Sequence, residues 1–205
     1  EGTHSVLLQS GRDQPAAFSV AEVVAADVQT LHVGGSADDA SNVDGVSGRY
    51  GIVAKVDIDD VFVLDNGGRE NATVWGDILT WVAHERKVGG TVIDGACRDT
   101  ALCRELNYPI YSRSYSMRTG KDRVQVEAMG GVVNIGDARC AAGDLLRGDA
   151  DGVLVIPREH ENEILDVAEE IDKTEEHIRS SVRSGLSLRQ AREKFGYHSL
   201  QTRKK

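Results

Sequence analysis

No stretch of the 205-residue sequence is apolar for the length a membrane-spanning helix requires. Its first residues show no signal-peptide pattern. Cysteine is scarce as well: Cys97, Cys103 and Cys140 form no C-x-x-C pair, and an odd count without a secretory signal reads as reduced thiols. Cys97 adjoins Arg98, but a small buried thiol is its expected role. Together these absences predict a cytoplasmic protein with no membrane partner and no disulfide framework.

Basic charge is also in short supply. The formal net charge is −9, which argues against a nucleic-acid partner, because a phosphate backbone needs a basic footprint. An anionic small substrate is not excluded, since it meets only the local field of its pocket. The six histidines, at positions 4, 32, 84, 160, 177 and 198, form no H-x-H or H-E-x-x-H pair, so a histidine zinc site is not expected. A phosphohistidine-type swivelling domain would need an exposed reactive histidine beside small residues, and none is present. With 40% hydrophobic and 28% charged residues, the composition is that of one ordinary globular domain over residues 1–205.

What is present centres on residues 90–103, GTVIDGACRDTALC. The apolar run Thr91-Val92-Ile93 reads as a buried strand that empties through Asp94-Gly95 into a loop carrying Arg98 and Asp99. An α/β domain presents charged groups at the C-terminal edge of its strands in this way. Arg98 is suited to grip a carboxylate or enolate with its planar fork, and Asp99 to give a hard oxygen to a divalent cation. The plain alternative is a surface ion pair that closes a tight turn.

The surrounding pattern supports a βαβ unit. Strands are expected over 52–56 and 61–64, then a turn-rich loop over 65–69. Ile78, Leu79, Val82 and Ala83 give a helical face over 77–87, and Val88-Gly89-Gly90 stops that helix before the next strand. Both strand-end loops then open at one edge of the sheet. The helix start Gly76-Asp77-Ile78-Leu79 faces Arg98 and Asp99 there. Backbone N–H groups at a helix start favour an anion, and Gly76 allows close approach. A Gly-Asp start that merely caps itself is the alternative.

Beyond this unit, 100–106 reads as a helix, 108–111 as a strand and 112–122 as a surface loop. Short strands are expected over 124–128, 131–135, 144–146 and 153–156, forming a compact β-layer. Asp149-Ala150-Asp151-Gly152 lacks the further ligands of a calcium loop and reads as a β-turn. From residue 158 a helical tail begins. Ile164, Val167, Ala168, Ile171, Ile178 and Val182 make it a long amphipathic helix, ended by Gly185. Ser187 and Gln190 stand in capping-box relation for a short second helix. Residues 1–50 are poorly readable; 20–28 suits a short helix or a strand, and no chemistry is assigned there.

Three ordered motifs, VFVLDNGGRENATVWGDIL, GGTVIDGACRDTALCRELNYPIYS and GDLLRGDADGVLVIP, resemble the 4-hydroxy-4-methyl-2-oxoglutarate aldolase family, which also includes the regulator of ribonuclease E activity. The resemblance runs from about Val56 to Pro157 and continues weakly into the tail. It implies an α/β fold of the swivelling β/β/α type, assembled as a homotrimer or hexamer with active sites at subunit contacts. It further implies a Mg²⁺- or Mn²⁺-dependent lyase that forms pyruvate from a 2-oxo acid, with oxaloacetate decarboxylation as a related activity. By position, the backbone of Gly76, Asp77, Ile78 and Leu79 would bind the pyruvyl carboxylate and Arg98 would contact the substrate. Asp99 would bind the metal, and Asp77 would act on water at the metal. A neighbouring subunit's glutamate is implied near the site, with Glu175 or Glu176 as candidates. The chain departs from the family at its first 50 residues and at Ala142, where proline commonly precedes Gly143-Asp144. No lysine stands in these motifs for a Schiff base, which favours the metal route. Two rival functions stay open: a non-catalytic regulator that binds a ribonuclease, and a metal-dependent lyase acting on a sugar-derived acid. The regulator type shares the arginine but lacks the adjacent aspartate, so Asp99 favours the enzyme.

Overall fold

The computed structural model describes residues 60–200 and the backbone of three earlier strands: β1 (Ser5–Val6), β2 (Val23–Ala25) and β3 (Val28–Gly34). The strand expected over 52–56 lies outside the described residues. Contacts divide the chain into two units, Glu1–Arg158 and Glu159–Lys205.

The first unit is built around an apolar strand, β4 (Val61–Thr73). Val61 and Val63 enter one cluster of buried residues, whereas Phe62 and Leu64 enter another. A strand apolar on both faces belongs in the middle of a covered sheet, and the neighbours are those of a parallel sheet. β4 is followed by helix α1 (Asp77–Glu85), β5 (Gly90–Cys97), helix α2 (Thr100–Glu105) and β6 (Ile110–Tyr115). β3, β4, β5 and β6 run parallel, and β7 (Gln125–Met129) adds antiparallel to β3, giving the order β6-β5-β4-β3-β7. The expected βαβ unit is present, and a second one follows it directly.

On one face, α1 and α2 pack through Leu79, Ala83 and Cys103 against Phe62, Leu64 and Ile93. On the other face lies a layer of short strands: β8 (Val133–Ile135), β9 (Ala138–Cys140), β10 (Leu145–Asp149) and β11 (Gly152–Ile156). Their Val133, Ile135, Leu146 and Val155 meet Val61, Val63 and Val92. Each fully buried aliphatic side chain contributes roughly 1.5–3 kcal/mol of transfer free energy. The architecture is therefore β/β/α. β10 and β11 form a hairpin with Asp149 opposite Gly152, and Asp151 N–H donates to Asp149 Oδ1 at 2.8 Å, so this segment is the expected turn.

Three local expectations change. Residues 65–69 are not a loop but part of β4, whose register slips twice: Asp65 pairs with Asp94, Arg69 with Gly95 and Thr73 with Ala96. The side-chain amide of Asn66 holds the slips, donating to Arg69 O at 3.3 Å and Ala72 O at 3.0 Å. Gly67 and Gly68 both have positive φ, which explains why the segment reads as a turn. Asp94-Gly95 does not leave the strand either, because β5 continues to Cys97. Ser112 to Tyr115 extend β6 rather than opening a surface loop. Residues 23–25 and 28–34 are strands, which decides between the two conformations that 20–28 suits.

In the second unit, α3 (Glu161–Arg183) and α4 (Leu188–Lys194) form the expected helical pair. Gly185 follows α3 with φ +103°, and the Ser187–Gln190 capping box starts α4. Buried Ile178 and Ala191 are the apolar anchors of the two helices.

Candidate active site

The ends of β4 and β5 meet where the chain leaves the sheet. Arg98 N–H donates to Trp75 O at 3.2 Å, tying the loop after β5 to the approach of α1. Asp99 has φ 58°, the left-handed conformation that aspartate tolerates better than most residues. It precedes α2 yet makes no side-chain cap to that helix. Instead its Oδ2 accepts from the N–H of Asp77, the first residue of α1, at 3.1 Å. Arg98 Nε stands 3.3 Å from the same oxygen. The Asp77 carboxylate accepts from Ile78 N–H at 2.8 Å through Oδ1. A helix start draws negative charge, and two carboxylates of the chain itself take the positions expected for a ligand anion.

Gly76 makes this arrangement possible. Its backbone is extended, with φ −162°, so no strain requires glycine. Space does: a Cβ there would fall 2.8 Å from Arg98 Nε and 2.9 Å from Asp99 Oδ2. Of the expected residues, Gly76, Asp77, Ile78, Arg98 and Asp99 are thus gathered at one edge. Leu79 belongs to the same first turn, but its side chain is buried in the core. Ile78 is more than half exposed, as is Trp81 one turn later. Glu175 and Glu176 lie on α3, where both bond to Arg179 of their own helix.

Beneath the site the packing is apolar and tightly bonded. The Trp75 indole N–H donates to Thr80 Oγ1 at 2.9 Å, and Thr80 Oγ1 donates to Gly76 O at 3.0 Å. Trp75 stacks on Tyr108 with ring planes 5° apart, and the Tyr108 hydroxyl lies 2.8 Å from Thr91 Oγ1. Burial pushes the Cys97 thiol up to about 11 and the Cys103 thiol upward as well, so neither is a thiolate at neutral pH. Cys97 is the small buried thiol expected of it.

Sequence reasoning missed Thr80 and the rim formed by 116–120. Thr73 N–H and Oγ1 both donate to Arg118 O, at 3.1 and 2.9 Å, and Ser116 N–H donates to Cys97 O at 2.9 Å. A Cβ on Gly120 would lie 2.2 Å from Thr73 O, so only glycine lets the rim come this close. The turn signal Thr119-Gly120-Lys121 is visible in the sequence, but not what it packs against.

Among the described residues there is no group of three or more His, Cys, Asp or Glu side chains placed to hold an ion. Asp77 and Asp99 remain, each with one oxygen engaged by a backbone N–H and the other left for a cation. Mg²⁺ keeps several waters and takes one or two carboxylates plus substrate oxygens, so this sparse donor set suits it.

These features define a β/β/α domain with a carboxylate-capped helix start and an adjacent Arg-Asp pair at the edge of a parallel sheet. The RraA-like family model described as Aldolase/RraA matches residues 10–155, and the chain belongs to that family. It is 38% identical over 145 residues to the Legionella pneumophila protein DlpA, covering 71% of this chain and 24% of DlpA. It is 35% identical over 113 residues to a Halalkalibacterium halodurans protein named "Putative 4-hydroxy-4-methyl-2-oxoglutarate aldolase", covering 53% of this chain and 51% of that one. The chain thus spans about a quarter and about half of these two curated relatives. Among solved structures, an uncharacterized Pseudomonas syringae protein superposes with TM-score 0.73 at 31% identity, covering 84% of this chain and 79% of its own. Streptomyces coelicolor RraAS2, described as an unusual member of the RNase ES inhibitor RraA protein family, gives 0.70 at 25% identity, with 84% and 82% covered.

Proposed function

We propose that this chain is a divalent-metal-dependent lyase that cleaves a 2-oxo acid of the 4-hydroxy-4-methyl-2-oxoglutarate type to pyruvate. β-Decarboxylation of an oxaloacetate-like acid is the same chemistry with CO₂ as the leaving fragment. The observation that carries this reading is the convergence of Arg98, Asp99 and the first turn of α1 on one point. The substrate carboxylate seats on the backbone of Gly76, Asp77, Ile78 and Leu79, taking the position that the Asp99 carboxylate holds on Asp77 N–H. Asp99, so displaced, has its charge free to serve as metal ligand beside Asp77. A bound Mg²⁺ or Mn²⁺ supplies Lewis-acid polarisation of the 2-oxo group.

The remaining work falls to the chain's own residues. As the C3–C4 bond breaks, its electron pair moves into the developing enolate of pyruvate, and the Arg98 guanidinium adds positive charge at that oxygen. Asp77 holds a water that accepts the proton of the 4-hydroxyl group, whose oxygen becomes the carbonyl of the second product. The same water returns a proton to C3 of the enolate. The three motifs carry no lysine for a covalent imine. The site lies at a contact between copies in a homotrimer or hexamer, and the protein works in the cytoplasm on a small-molecule substrate.

A regulator that binds a ribonuclease is the second reading, favoured by the likeness to the Streptomyces protein of an RNase ES inhibitor family. A pyruvate-release assay separates the two, run over a panel of 2-oxo acids with Mg²⁺, Mn²⁺ and EDTA arms. Metal-dependent release that EDTA abolishes is the expected result. No release from any acid in any arm overturns the lyase and leaves the regulator.

Gly76→Ala tests the seat itself. The added methyl drives Arg98 and Asp99 apart, and both are partly exposed and free to swing away. The melting temperature is therefore expected to stay nearly constant while KM rises about tenfold or more, or ~1.4 kcal/mol of lost binding. An unchanged KM in the folded variant removes this helix start from the site.

A further inference from the structure

We propose that Thr80 is a positioning residue of the site: its buried hydroxyl fixes the start of α1 against Arg98 and Asp99. The expected effect on turnover rests on the lyase reading; the geometry does not. Thr80 has no exposed surface, and its one hydroxyl hydrogen goes to Gly76 O at 3.0 Å. The Thr80 N–H donates to the same carbonyl, also at 3.0 Å. Gly76 C=O and Asp77 N–H belong to one planar peptide unit, so holding the carbonyl by two bonds aims the N–H. That N–H is the donor met here by Asp99 Oδ2, and the one assigned above to the substrate carboxylate.

A helical threonine commonly bonds the carbonyl four residues back, and that bond alone does no more than bend a helix. Here Thr80 Oγ1 also accepts from the Trp75 indole N–H at 2.9 Å. Trp75 is the residue whose carbonyl accepts from Arg98 N–H, so one hydroxyl anchors both flanks of the site. The Cys103 thiol stands 3.4 Å from Thr80 Oγ1 and 3.9 Å from Asp99 O, between the helix and the loop. Since the hydroxyl hydrogen is committed to Gly76, the thiol is the donor in its contact with Thr80. Trp75, Thr80 and Cys103 are all buried, so no water takes the place of a lost partner. The network therefore acts on the backbone of Gly76 and Arg98 from beneath, and the substrate does not meet Thr80.

Two variants separate position from packing: Thr80→Val keeps the shape and loses the hydroxyl, whereas Thr80→Ser keeps the hydroxyl and loses a methyl group. Thr80→Val should lower kcat about 10–100-fold with a much smaller change in KM, because the seat keeps its N–H groups and loses their aim. Thr80→Ser should hold kcat near that of the parent, even where the missing methyl group lowers its melting temperature. Amide hydrogen exchange reads the geometry apart from catalysis. The N–H groups of Asp77 and Arg98 should lose protection in Thr80→Val and keep it in Thr80→Ser. Thr80→Val strands the buried indole N–H, so adding Trp75→Phe removes donor and acceptor together and gives a second protein should the first not fold. This double variant should stay slow. A Thr80→Val enzyme with parental kcat, a Thr80→Ser enzyme as slow as Thr80→Val, or a double variant that regains turnover overturns the proposal. If the parent releases no pyruvate, the lyase reading falls and exchange alone decides. Unchanged protection at Asp77 and Arg98 in Thr80→Val then overturns the positioning role, and faster exchange upholds it.

Discussion

Asp99→Asn is expected to remove almost all turnover while leaving the fold in place. Asparagine keeps the shape, tolerates the left-handed backbone at this position, and retains an oxygen to accept from Asp77 N–H. What it lacks is the charge that holds a hard dication. Turnover should fall on the order of 10²–10³-fold, the scale of losing one preorganised electrostatic group, and affinity for Mg²⁺ or Mn²⁺ should fall with it. Stability should change little, because the carboxylate is 39% exposed and its benefit to the helix start is about 0.3–1 kcal/mol. Arg98→Lys separates the roles: it keeps a charge but loses the fork, so turnover suffers more than metal affinity. If instead the pair merely closes a turn, both variants shift melting and leave chemistry alone. Calorimetric metal titration, turnover and melting on the two proteins decide the matter, and a fully active Asp99→Asn enzyme ends the metal-lyase reading.

The site is legible in outline because its signals are local and its topology is constrained. The apolar run 61–64, the helical face over 77–83 and the glycines after it define one crossover, and a right-handed crossover brings both strand ends to one edge. Arg98 and the helix start have to be neighbours on that argument. Which atom meets which N–H is not legible, since Asp99 reaches a helix 22 residues back and no local pattern encodes that contact. The double slip in β4 is hidden for a related reason. Asn66-Gly67-Gly68 carries every mark of a turn, and only the buried amide of Asn66, bonded to Arg69 O and Ala72 O, shows that the chain rejoins the sheet. The rim over 116–120 depends on Thr73, more than forty residues earlier. By contrast, the Ser187–Gln190 box and the Gly185 stop lie within one turn of what they cap, and the structure has both where the sequence puts them.

Arg113→Met is expected to produce the largest loss of stability at this edge of the sheet. Asp94 has only 6% of its side chain exposed and pairs with the Arg113 guanidinium, which is itself 33% exposed. Asp65, opposite Asp94 on the neighbouring strand, is likewise buried, with its carboxylate accepting from Gly67 N–H and Asn134 N–H. Removing the guanidinium strands a buried carboxylate beside another acid. The usual cost of such a break is about 3–5 kcal/mol, and the partial exposure of Arg113 places this one near the lower end. For a chain of this size about 3 kcal/mol corresponds to a melting temperature roughly 6–12 °C lower. The intact pair adds little net stability over an uncharged replacement, because both groups lost solvent to form it. Asp94→Asn combined with Arg113→Met should therefore recover most of the loss. Chemical denaturation of the parent, both single variants and the double variant gives the coupling directly. A double variant as unstable as Arg113→Met alone would show that Arg113 acts through packing against the β4 bulge near Gly68, and that the charge of Asp94 is not what it answers.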